Sequence, residues 1–131
     1  MQYMLDTNTI SDLMKARPEV VERVKATPMA AMCMSVITEA ELFYGLAKRP
    51  DAKRLHLAAQ ELMRRIDVLP WNSATAHRYA GVRVDLERQG KTLAPLDLLI
   101  AAHALEAGLT LVSRDKVFGQ VDGLVVQDWS L

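Results

Sequence analysis

Pro95-Leu96-Asp97-Leu98-Leu99-Ile100-Ala101-Ala102-His103-Ala104-Leu105-Glu106-Ala107-Gly108-Leu109-Thr110-Leu111-Val112-Ser113 is the stretch whose reading decides the fold. Proline suits the first turn of a helix and glycine its end, so Pro95 opens a helix over Leu96–Ala107 and Gly108 closes it. The helix is apolar nearly all round, which fits a buried element. The short run Leu109–Ser113 follows at once and reads as a buried strand. A buried helix leading directly into a buried strand is a unit of a parallel sheet.

The same alternation runs outward from there. Gln2–Leu5 is expected to form the first strand, ending at Asp6, with Thr9 or Ser11 capping a short helix to about Lys15. Pro18 suits the first position of a helix over Pro18–Ala26, and Ala31–Ser35 is the next expected strand. Thr38 and Glu41 have capping-box spacing, with Ser35 as the alternative cap, for a helix to about Leu46. Leu55, Ala58, Ala59, Leu62, Met63 and Ile66 fall on one helical stripe. Asp67–Leu69 reads as a short strand stopped by Pro70, Ser73 as the cap of a long helix ended by Gly90, and Leu124–Val126 as a last short strand. Strands alternating with helices of this length predict a parallel sheet covered on both faces.

The 131 residues suit one domain, residues 1–131, and half of them are apolar, enough for a core. Sixteen basic residues balance sixteen acidic ones, so net charge gives no argument for a nucleic-acid partner and leaves only a local patch. The single cysteine, Cys33, excludes an intrachain disulfide and reads as a buried thiol. Asp6 arrives too early for a signal-peptide core, and the longest apolar runs fall far short of the roughly 20 residues of a membrane span, so a cytoplasmic location without membrane contact is expected.

The chemistry centres on acids. Asp97 lies on the first turn of a buried helix, where the helix dipole supplies only about 0.3–1 kcal/mol to an exposed carboxylate. Burying an unpaired charge costs several kcal/mol, so Asp97 needs a partner: a capping role, an arginine or a metal ion. Asp6 ends the first strand and Asp115 follows Leu109–Ser113, which places both at the carboxyl edge of the sheet, where such sheets bind ligands. Either alone reads as a turn or cap residue. The fourth acid is Glu41 or Glu39, which lie about 200° apart on their helix and cannot share a cleft. Converging carboxylates call for hard divalent ions with oxygen ligands, Mg2+ or Mn2+. Zinc would prefer nitrogen and sulfur, and His56, His77 and His103 show no ligand spacing with Cys33. His56 is expected to be exposed, and His77 and His103 to be surface or satisfied buried groups. Carboxylate-held Mg2+ is a common device for phosphodiester hydrolysis, and it offsets the repulsion between an acidic cleft and a polyanion.

Four blocks together resemble the PIN-domain ribonucleases, and among them the VapC toxins of type II toxin–antitoxin systems. Met4-Leu5-Asp6-Thr7-Asn8 is similar to the family's opening, and Ser35 through Gly45 fits its second block, S-x-x-T-x-x-E-L-x-x-G, which selects Glu41 over Glu39. Gly90 through Ala101 resembles the third block, with Asp97 as its acid, and Leu111-Val112-Ser113-Arg114-Asp115 the fourth. The resemblance covers the whole chain, in order. It departs at Val117, before Phe118, where many relatives carry a further acid, so it implies at least one ion and leaves a fifth ligand unfilled.

The resemblance implies a three-layer α/β/α domain with a central, mostly parallel, twisted sheet of four to five strands. It implies a Mg2+- or Mn2+-dependent endoribonuclease with Asp6, Glu41, Asp97 and Asp115 as catalytic metal-site residues. Thr7, Asn8 and Ser113 would hydrogen-bond the carboxylates or their waters, the first two having turn and cap roles as the alternative. Arg114 and Lys116, and the cluster Lys48, Arg49, Lys53 and Arg54, are candidates to hold RNA phosphates or are solvated surface charge. The expected partners are a VapB-type antitoxin, whose tail enters the acidic groove, a second copy of the chain, and a higher oligomer with the antitoxin, through which DNA is bound. The expected substrate is structured RNA: tRNA, with initiator tRNA cut in its anticodon stem-loop in related enteric toxins, or ribosomal RNA as in other members. The stripe Leu55–Ile66 is either a core face or a dimer face. Two other readings are a PIN fold that binds RNA or antitoxin without cutting, and a receiver-like signalling domain. The latter needs an acid after a central strand and a lysine after a later one, and Asp67 and Ser113-Arg114-Asp115 do not supply them.

Overall fold

The computed structural model describes residues 1–131. Five short strands, β1 (Tyr3–Leu5), β2 (Met32–Ser35), β3 (Asp67–Leu69), β4 (Thr110–Val112) and β5 (Val126–Gln127), form one sheet. Their order is β3-β2-β1-β4-β5 and every neighbouring pair is parallel. The helices are α1 (Thr7–Met14), α2 (Pro18–Lys25), α3 (Val36–Ala47), α4 (Lys53–Arg65), α5 (Ser73–Arg88) and α6 (Pro95–Ala107).

Period-two alternation sorts the strand side chains between two cores. Met4, Cys33 and Leu111 pack with Val82 and Leu86 of α5, with Leu98 and Ile100 of α6, and with Phe118. Leu5, Met32, Met34 and Val112 pack on the other face with Ile10 of α1, Leu42 of α3, Ala59 and Leu62 of α4, and Trp129. The result is the expected three-layer α/β/α arrangement. The α4 stripe is a core face: Ala59, Leu62 and Ile66 are buried against the chain's own sheet.

The element order matches the sequence reading, with local corrections at the helix starts. Asp6, not Thr9 or Ser11, caps α1, its Oδ1 accepting from the Thr9 backbone at 2.8 Å. At α3 it is the alternative cap, Ser35, that accepts from the Ile37 N–H, and the Thr38–Glu41 capping box is not formed. Asn72, not Ser73, caps α5. In each case a strand or loop leaves its last polar residue extended at the helix start, where an oxygen acceptor meets an orphan N–H. The last strand, expected at Leu124–Val126, starts two residues later and ends one later, in register with Leu111 and Val112. His56 is half-buried rather than exposed, because Nε2 reaches the Arg49 carbonyl at 2.9 Å. No helix is long and apolar enough to cross a membrane.

From β1 the chain builds outward to β2 and β3, then returns to place β4 on the other side of β1. The order reverses between β1 and β4, and such a reversal opens a crevice at the carboxyl ends of the two strands.

Candidate active site

Asp6 stands at that crevice. It leaves the end of β1, its backbone N–H donates to Val112 O at 3.0 Å, and its side chain is 2% exposed. The cap bond to Thr9 occupies one carboxylate oxygen, and the Ser113 hydroxyl at the end of β4 lies beside the carboxyl. Burial pushes the Asp6 carboxyl above its ordinary range, the bonds from Ser113 and Thr9 pull it back, and the negative charge of Asp115 pushes it up again.

Asp115 follows two residues after Ser113. Its N–H donates to Ser113 Oγ at 3.0 Å, and its Oδ1 accepts from Val117 N–H, capping a 3-10 turn over Lys116–Gln120. Ser113 thus stands between the two acids, beside the Asp6 carboxyl and bonded to the Asp115 backbone. Val117 itself packs against the core, so position 117 brings no carboxylate to the crevice.

Glu41 arrives from α3. Thr7, on the first turn of α1, donates from Oγ1 to Glu41 Oε1 at 2.6 Å, and the same hydroxyl lies 3.5 Å from the buried Thr38 Oγ1. That bond fixes the outer acid to the helix that begins at the inner one. Behind it, Ser35 bonds the buried His103 Nδ1 at 2.7 Å, tying the start of α3 to α6. Burial lowers the His103 pKa, so this histidine is a neutral, satisfied core group. Glu39, two residues from Glu41, makes no such bond and faces elsewhere on α3.

Asp97 completes the set from the first turn of α6, half-buried and making no capping bond. Its carboxyl is raised first by burial, then by the charges of Asp115, Glu41 and Asp6. All three other acids thus act on Asp97 across the crevice. None of the four is ion-paired with a basic side chain. Three helix N-termini, those of α1, α3 and α6, lie at the same edge, and their dipoles offset only part of the repulsion.

Asp97 and the three carboxylates that repel it, with hydroxyl support and no basic side chain paired to any of them, form a donor set suited to a hard divalent ion. No group of three or more His, Cys, Asp or Glu side chains is drawn together tightly enough to enclose an ion as it stands. An all-oxygen donor set suits magnesium, which keeps several waters and takes one or two carboxylates directly, better than zinc.

Of the other residues singled out in the sequence, Asn8 lies half-buried on the first turn of α1. Arg114 is held within the chain: Nε donates to Asp12 Oδ2 at 2.9 Å, and Arg17 approaches the same oxygen at 3.5 Å. Lys116 is exposed. Lys48 and Arg49 are exposed at the end of α3, at one end of a cleft that begins at Thr7 and Glu41. Sequence reasoning missed Asp12, a buried acid that nothing in the local pattern of α1 marks out, and gave Thr38 a capping role in place of its contact with Thr7.

Known proteins agree with this architecture. A model of the PIN domain matches residues 3–124. The tRNA(fMet)-specific endonuclease VapC of Shigella flexneri is 35% identical over 131 residues, 99% of each chain. Among solved structures, the DNA-bound VapBC of Salmonella typhimurium superposes with a TM-score of 0.91 at 32% identity over 98% of each chain. VapBC-1 of nontypeable Haemophilus influenzae does so with a TM-score of 0.86 at 36% identity over 100% of each chain. By fold, by the match along nearly its whole length and by these relatives, the chain belongs to the PIN-domain family, in the branch of the VapC ribonucleases.

Proposed function

We propose that the chain is a Mg2+- or Mn2+-dependent endoribonuclease, the toxin of a VapBC-type pair, which cuts tRNA and so stops translation. The observation that carries the reading is the convergence on Asp97 of three other unpaired acids at the crevice between β1 and β4. An Mg2+ or Mn2+ ion held there supplies positive charge to the phosphoryl oxygens and acidifies the attacking water. Asp6 and Asp97 are the direct ligands in this reading, since one is buried at the crevice floor and the other projects free from α6. Glu41, aimed by Thr7, and Asp115, aimed by Ser113 and Val117, orient water and the remaining ligands. The four carboxylates also repel the polyanion, a repulsion that a bound cation would offset.

Initiator tRNA is the substrate we favour, because the Shigella relative is named for tRNA(fMet). The partner we assign is a VapB-type antitoxin, as in the Salmonella and Haemophilus complexes. An apolar groove of about 510 Å3 between α1, α2 and α4, lined by Leu13, Met14, Val24, Met29 and Leu62, gives an amphipathic helix of that partner a surface to bury. We also assign a homodimer in solution. A PIN fold that binds without cutting would not need four unpaired acids at one crevice, whose repulsion costs stability and gains nothing.

The test is incubation of the metal-loaded protein with total tRNA, followed by sequencing of new 5′ ends. Discrete cleavage of tRNA is expected, abolished by chelation, restored by Mg2+ or Mn2+, and lowered about 100-fold or more by Asp6→Ala or Asp97→Ala. Undiminished cleavage in excess chelator, or near-normal cleavage by both variants, would remove the reading.

A further inference from the structure

A cleft of about 210 Å3 leads away from the acids along one side of α3. Thr7 and Glu41 line one end, and Lys15, Lys48 and Arg49 line the other. It opens into a wider hollow that shares Lys15 and Arg49 and adds Lys53 and Arg54, with Asp51 as its one acid. None of these five cations is in an ion pair, whereas Arg114, on the other side of the site, is committed to Asp12. Lys48 is also positioned, its Nζ lying 4.5 Å from the centroid of the exposed Tyr44 ring.

Gly45 lies between the two ends. Glu41, Gly45 and Lys48 fall at i, i+4 and i+7, on one face of α3, spanning roughly 10 Å along the axis. A glycine inside a helix costs roughly 1 kcal/mol relative to alanine. Gly45 has no positive φ, and a Cβ built on it meets nothing within 4 Å. Neither backbone conformation nor packing within this chain calls for glycine there. What an added side chain would take up is space in the cleft.

We infer that this cleft is the track for the RNA strand beside the scissile bond, with Gly45 as its floor and Lys15, Lys48 and Arg49 as the groups that hold the adjoining phosphates. The inference rests on the ribonuclease reading above. It also explains how a chain with no net charge engages a polyanion: five unpaired cations line the cleft and the hollow it opens into, a local patch beside the acids. Phosphate contacts fix the strand's register, and here they would place the bond to be cut over Glu41 and Asp97.

Cleavage of bulk bacterial tRNA with Mn2+ tests it. Lys15→Gln/Lys48→Gln/Arg49→Gln is compared with Arg64→Gln/Arg65→Gln/Arg88→Gln, which removes the same charge from α4 and α5. The cleft variant is expected to raise KM about tenfold or more with kcat little changed. The log–log salt dependence of kcat/KM should become shallower by about 2, as expected for three lost contacts to a single strand. The control triple should keep the wild-type KM and salt slope. Gly45→Ala should leave Tm unchanged or higher and still raise KM several-fold, a split that a merely structural role would not give. Wild-type KM and salt slope in the cleft triple, or equal losses in both triples, would overturn the track while leaving the ribonuclease standing. Weaker capture of a protein antitoxin with unaltered RNA kinetics would likewise reassign the cleft and overturn it. A wild type that cuts no RNA would bring down the ribonuclease reading itself, and the track with it.

Discussion

Asp97 shows what a single residue can reveal about its surroundings. Its position on the first turn of a buried helix was legible from Pro95 and the apolar run behind it, but its neighbours were not, because Asp6, Glu41 and Asp115 reach it from three other elements. With its folded pKa raised, the ionised carboxylate costs folding stability. That cost is absent below the unfolded pKa, grows as pH rises through the raised folded value, and stays constant above it. Asp97→Asn is therefore expected to raise Tm in chelator at neutral pH, with the gap closing at acid pH and shrinking when Mg2+ or Mn2+ is added. Differential scanning calorimetry measures this, and a variant less stable than wild type in chelator at neutral pH would contradict it. The Thr7–Glu41 bond was not legible for a different reason: it depends on how α1 and α3 pack, which no local pattern records.

At the scale of elements, helix ends were read less well than helix bodies. Three helices finish with the same device, a left-handed residue followed by an N–H that bonds back to the carbonyl five residues earlier. Lys91 N–H reaches Leu86 O past Gly90, Leu109 N–H reaches Ala104 O past Gly108, and Arg17 N–H reaches Asp12 O past Ala16. Gly90 and Gly108 announced their helix ends in the sequence. Ala16, at φ +58°, did not, because alanine rarely takes that conformation. Left-handed backbone costs a non-glycine residue roughly 1–2 kcal/mol, against a glycine entropy cost of about 0.5–1 kcal/mol. Ala16→Gly is thus expected to stabilise the exposed end of α1 by up to about 1 kcal/mol, read as a rise in the denaturant midpoint. A lower midpoint would show that the turn is not strained. The cap of α1 lies three or five residues before the two expected, that of α5 one residue before, and at α3 the choice between Ser35 and Thr38 stayed open, because several nearby polar residues could each cap and only the path of the preceding strand or loop selects among them.

For the whole molecule, alternating elements predicted a parallel sheet, and the crevice follows from strand order, which periodicity does not contain. The fold-family resemblance supplied what the pattern lacked, by assigning the four acids to one site before any topology was known. Assembly is a separate matter. The α4 stripe is spent on the chain's own core, which leaves Phe43, Tyr44 and Leu57 as large exposed apolar side chains on α3 and α4. Light scattering is expected to give a dimer at high concentration without the antitoxin, and Leu62→Glu is expected to unfold the chain rather than only separate protomers. A folded, monomeric Leu62→Glu protein would return the stripe to the interface.

The central claim is that Asp6, Glu41, Asp97 and Asp115 act together on one divalent cation. Titration of Mn2+ into the chelator-treated protein, with free Mn2+ followed by electron paramagnetic resonance, tests it most directly. At least one bound ion per chain is expected, with affinity reduced roughly tenfold or more in Asp97→Asn while the fold is kept. Absence of bound Mn2+ in the wild type, or equal affinity in Asp97→Asn, would contradict it.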